Sequence, residues 1–164
     1  MCRHHHHTRR ATLALLAATP FLSACKAEAA GPEDIRWGRE VCEICGMIIS
    51  DPGYASEIRG GPDRKLVKFD DIGDAINWLK EQPWKDDPSI EFWVRDYGTR
   101  QDWLDARQAH YQRGVISPMD YGFAALSAPS TDSISFEEMR RDVLARGLTW
   151  RCIPGGEDGE GHKG

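Results

Sequence analysis

The chain has 164 residues, enough for one domain with its own core, and carries 26 acidic against 21 basic residues, a net charge of −5. Removing residues 1–24 takes three basic residues and no acidic ones, leaving 18 against 26 and a net charge of −8. That balance excludes the basic surface on which nucleic-acid binding rests.

The N-terminus reads as an export signal. Arg3, Arg9 and Arg10 surround the run His4 to His7, and an apolar stretch from Ala11 to Leu22 follows. The stretch is shorter than the roughly 20 residues that span a bilayer, and small residues close it, which is the layout of a signal peptide. Leu22-Ser23-Ala24-Cys25 is similar to the bacterial lipobox, whose Cys is acylated and becomes the first mature residue. The expected organisation is a signal peptide over 1–24, a lipid-anchored linker over 25–37 beginning at Cys25, a domain over 38–153 and a disordered Gly-rich tail over 154–164. Lys26 after the lipidated Cys favours the outer membrane by analogy with lipoprotein sorting, and the protein is expected in the periplasm.

The domain interior reads as a diverged repeat, the first copy over about 42–96 and the second over about 115–153. In the first, strand candidates at Tyr54–Ile58 and Leu66–Phe69 lead into Asp70-Asp71 and a helix with Ile72, Ile76 and Leu79 on its apolar face. Pro83 ends the helix, and Ile90–Val94 supplies a further strand. In the second, Tyr121–Leu126 and Ile134–Phe136 precede Glu137-Glu138 and a helix with Met139, Val143 and Leu144 inward. Gly147 closes it and Leu148–Ile153 follows as a strand. Each copy reads strand–strand–helix–strand, an α+β arrangement of tandem ββαβ units. Periodicity leaves Trp103–Tyr111 open between an edge strand and a short helix. The paired acids precede each helix, where the electropositive N-terminus favours them.

The chemistry concentrates at Cys42-Glu43-Ile44-Cys45-Gly46-Met47. Two thiols and a thioether within six residues are soft donors, the set that selects Cu(I). Other readings of C-x-x-C compete. A thioredoxin-like pair needs a helix to lower the thiol pKa, and Gly46 with Pro52-Gly53 brackets a run too short and β-branched to form one. Structural zinc wants four ligands, and no second C-x-x-C exists. A plain Cys42–Cys45 disulfide closes a short loop and gains little. In an extended segment Cys45 and Met47 would point to the same side. Under the repeat, Met119 of Pro118-Met119 is the counterpart of Met47, and the expected copper donors are Cys42, Cys45, Met47 and Met119. Met139 reads as core and Cys152 as a buried small side chain, while His110 and His162 have no spacing that fixes a role.

Glu40 to Ile49, Phe69-Asp70-Asp71, Asp96-Tyr97, Trp103, Asp105-Ala106, Ala109-His110-Tyr111, Pro118-Met119 and Gly122-Phe123-Ala124-Ala125 together resemble the NosL family, over roughly residues 35 to 145. The resemblance implies a periplasmic Cu(I)-binding lipoprotein with a MerB-like tandem fold and no enzymatic role. Its implied partners are the nitrous oxide reductase apoprotein and its membrane copper-assembly machinery, in denitrification. The competing reading is a periplasmic thiol-disulfide oxidoreductase using Cys42 and Cys45 to keep copper-protein thiols reduced.

Overall fold

A computed structural model describes residues 30–149. The expected signal peptide, the lipidation site Cys25, Cys152, His162 and the C-terminal tail lie outside them. Among the described residues no helix is long and apolar enough to cross a membrane.

The fold is mixed α/β, with antiparallel sheets and two helices. Its elements are β1 (Ser56–Gly60), β2 (Lys65–Phe69), α1 (Ile72–Lys80), β3 (Glu91–Arg95), β4 (Trp103–Asp105), β5 (His110–Arg113), β6 (Phe123–Leu126) and α2 (Phe136–Arg146). The first sheet has the order β2-β1-β3-β4, and β5-β6 forms a second. The hairpin β1–β2 places Ser56 opposite Phe69 and Gly60 opposite Lys65, so β2 delivers the chain to Asp70 beside the start of β1.

The first expected unit is present in order: β1, β2, α1, then β3 returning to pair with β1. The helix ends at Lys80, three residues before Pro83. In the second half β6 and α2 form, but Ile134 is a single bridge to Tyr111 of β5, and Phe136 already opens the helix. A strand needs a partner along its length, and β6 is paired to β5 instead. The segment left open in the sequence, 103–111, becomes the edge strand β4 and the start of β5.

Strand alternation divides the first sheet into two faces. Ile58, Val67, Phe69, Phe92 and Val94 join the buried apolar cluster beneath the helices. Phe69 meets Trp78 of α1 at 5.5 Å between ring centres, and Phe92 meets Phe136 of α2 edge-on at 5.8 Å. Both helices begin on side-chain caps. Asp71 accepts from the Gly73 N–H, while Ser135 and Glu138 form a reciprocal capping box.

The opposite face carries Glu57, Arg59, Lys68 and Arg95, and residues 31–40 cross it. Read from composition as partly tether, residues 31–37 lie against the sheet through polar bonds. The Gly31 N–H donates to Glu91, the Glu33 N–H donates to Glu57, and Arg59 donates to Glu33. Arg95 lies over the rings of Trp37 and Trp103. Composition is blind to such a docked arm because its partners are charges on the strands.

Glu57 is the costly member of this layer. Its side chain is fully buried, one oxygen accepts from Glu33 at 2.9 Å, and the other lies 3.7 Å from the Lys68 ammonium. Burial outweighs these partners and raises its pKa to about 7. A carboxyl raised on folding stabilises fully below its unfolded value near 4.5, and that contribution is lost as pH rises through about 7. Glu57→Gln therefore raises the melting temperature at pH 8 and flattens its fall between pH 5 and 8. Thermal unfolding across that range checks it; a variant less stable than wild type at pH 8 would contradict it. Lys68 keeps a partner in the variant, because Glu40 lies 3.0 Å away.

Candidate metal centre

The sulfur motif forms a tight turn, not a helix. The Cys42 N–H donates to the Met47 carbonyl at 2.8 Å, and the Gly46 N–H donates to the Cys42 carbonyl at 3.0 Å. Val41 and Ile48 bridge across the base. Gly46 has φ +71°, the left-handed region open to glycine, so it lets the chain reverse here. The same reversal breaks the extended run expected from Cys45 to Met47, and alternation no longer fixes their relative direction. Met47 is 39% exposed at this turn.

The turn is fastened to the end of β2, where the Glu43 N–H donates to the Lys68 carbonyl at 2.9 Å. That contact sets the thiols against the N-terminus of α1. Cys42 Sγ lies 3.3 Å from Asp74 Oδ2, and Cys45 Sγ lies 3.9 Å from Asp70 Oδ1. One donor atom from each of Cys42, Cys45, Asp70 and Asp74 lies within 4.8 Å of the others. Both cysteines are free thiols. A four-coordinate ion with bonds of about 2.0–2.3 Å holds its donors within about 4 Å of one another, so modest closure would complete such a site.

Burial governs the electrostatics. Cys42 is 1% exposed, and burial pushes its thiol well up, reinforced by the charges of Asp70 and Asp74. Cys45, only partly buried, is raised by the same causes. The backbone N–H groups of Cys45 and Asp70 act in the opposite sense on Cys42, as that of Met47 does on Cys45. They favour thiolates, which form when a cation displaces the thiol protons. Asp70, raised by burial to about 6, and Asp74 are the adjacent bases. The arrangement suits a thiophilic cation that enters as protons leave.

The model of the NosL family matches residues 37–138, a span that holds all four of these side chains. The chain belongs to the NosL family. A search of curated proteins finds no match. Membership, with the cysteine–aspartate group, points to a copper-related accessory function for this NosL chain.

Of the expected donors, Cys42 and Cys45 stand together in this group. Met119 is fully buried in the same apolar cluster as Cys42, and its N–H donates to Asp71, the neighbour of Asp70. Met47 stays on the surface beside Cys45. His110 opens β5 and is not part of the group. Met139 is core, as its place on the α2 stripe implies. Asp70 and Asp74 were not among the expected site residues. Their signal was present: three carboxylates within five residues at a helix start exceed what one cap and the helix dipole use.

Proposed function

We propose that this NosL-family protein is a Cu(I) metallochaperone, a periplasmic lipoprotein anchored to the outer membrane. It supplies copper for assembly of the copper centres of nitrous oxide reductase. The observation that carries the reading is the pair of free thiols, Cys42 buried and Cys45 partly buried, set against Asp70 and Asp74 in a chain of this family. Cu(I) prefers the sulfurs to the harder carboxylates. Cys42 and Cys45 therefore bind it as thiolates, while Asp70 and Asp74 accept the displaced protons and pass them on to solvent. The exposed thioether of Met47 meets the incoming ion, and Met119 completes the soft donor set from the buried side. Release follows by ligand exchange, an incoming donor binding before an old one leaves. The tandem ββαβ arrangement belongs to this reading; the strand expected over 148–153 falls largely outside the described residues.

A thiol-disulfide reductase is less well supported. Its attacking cysteine must be accessible and of lowered pKa. Here Cys42 is buried and both thiols are raised. Transfer separates the two. Copper-loaded protein mixed anaerobically with copper-free nitrous oxide reductase and its assembly machinery should restore reductase activity. Metal-free protein should not accelerate reduction of a disulfide substrate. Failure to transfer, with catalysed dithiol exchange in its place, would overturn the chaperone reading.

A further inference from the structure

Asp71 makes more bonds than a helix cap requires. Its Oδ1 accepts from the Gly73 N–H at 3.0 Å, which caps α1. Its Oδ2 accepts two further bonds from a segment more than 40 residues away: the Ser117 hydroxyl at 2.5 Å and the Met119 N–H at 3.1 Å. The Ser117 oxygen accepts in turn from the Gly122 N–H at 3.0 Å. The α2 cap, Ser135, shows that a hydroxyl is enough to begin a helix in this fold. A fully buried carboxylate is expensive, and the second oxygen at Asp71 serves only the 117–122 loop.

The loop is held at two further points on α1. The Tyr121 ring packs over Gly73, where an added Cβ would fall 2.0 Å from a ring carbon. The Tyr121 hydroxyl accepts from Asn77 Nδ2 at 3.2 Å. The first turns of α1 therefore join two things. Asp70 and Asp74 face the thiols, while Asp71, Gly73 and Asn77 fix the loop that carries Met119.

We propose that Asp71 is a positioning residue of the metal centre: it clamps the Ser117–Met119 segment so that the Met119 thioether is presented to Cu(I) held by Cys42 and Cys45. The inference rests on the Cu(I) reading above. An Asn at this position keeps one acceptor, but its NH2 cannot accept from Ser117 and Met119, so the clamp opens while the helix cap survives.

The test is anaerobic Cu(I) competition titration of wild type, Asp71→Asn, Met119→Leu and the double variant, with X-ray absorption at the copper edge. Asp71→Asn should weaken binding by about 10- to 100-fold, the usual scale for a residue that orients a ligand, and should lose one Cu–S contact. In the Met119→Leu background the same substitution should add nothing, because its effect runs through the thioether. Equal losses in both backgrounds, or wild-type affinity in either single variant, would overturn the proposal. If circular dichroism shows Asp71→Asn unfolded, Ser117→Ala opens half of the clamp and carries the same comparison. A wild-type protein that binds no Cu(I) would instead sink the metal reading, and this proposal with it.

Discussion

Cys42→Ser abolishes tight Cu(I) binding, weakening it by roughly three orders of magnitude or more, about 4 kcal/mol. The serine hydroxyl is a hard, weakly acidic donor, and Cu(I) gains little from it. No other thiol among the described residues replaces the lost thiolate, and Asp74 and Asp70, which the two sulfurs touch, offer only oxygen. The fold should survive, since Ser nearly matches Cys in shape and its hydroxyl can donate to Asp74 as the thiol does. Loss of copper with an unchanged thermal midpoint separates a ligand from a packing residue. Cys45→Ser should act in the same direction.

The raised thiols add a sign to this expectation. Both are protonated at neutral pH, so each thiolate formed on loading must shed a proton. Apparent affinity then rises with pH, by up to about tenfold per unit for each proton released. Titration at pH 6, 7 and 8 reads it directly. Affinity independent of pH would mean that the thiols do not bind as thiolates.

Gly73→Ala is the second large effect, and it acts on the fold. In a helix interior Ala is ordinarily better than Gly by about 1 kcal/mol. Here the added methyl would meet three Tyr121 ring carbons at 2.0, 2.2 and 2.5 Å. Overpacking costs typically about 1–3 kcal/mol and more where the neighbour cannot move. Tyr121 cannot easily move, since its hydroxyl accepts from Asn77 and from the Thr149 N–H. The clash wins, and a net loss of about 3 kcal/mol is expected in urea or thermal unfolding. In a Tyr121→Ala background the same substitution should cost much less than it does alone, because the ring it meets is gone. A single variant as stable as wild type would show that the loop is not seated on α1 as described.

These positions also show where the sequence was transparent. The apolar spacing of Ile72 and Ile76, and the alternation around Ile58, Val67 and Phe92, depend only on local period. They locate α1, β1, β2 and β3 to within two residues. The thiol pair was legible because two cysteines three apart, with Met47 two residues on, form a soft donor set. Asp70 and Asp74 escaped because an acid at a helix start already has an ordinary explanation in the dipole. Only the docking of the turn at Lys68 reveals that they face sulfur. Ile134 escaped for a different reason: its bridge to Tyr111 is a long-range pairing across 23 residues, and no local pattern encodes the choice of partner. The arm over 31–37 was hidden by its composition, since Gly, Pro and charges suit a tether unless Glu57 and Arg59 lie beneath them.

Whether Cys42 and Cys45 hold one Cu(I) as thiolates is read most directly by copper-edge X-ray absorption on fully reduced protein loaded anaerobically with one equivalent of Cu(I). The expected result is a Cu(I) edge with sulfur-only neighbours, at least two of them, and loss of that signal in the Cys42→Ser and Cys45→Ser double variant. A first shell of oxygen or nitrogen, or a sulfur shell that persists in the double variant, would contradict it.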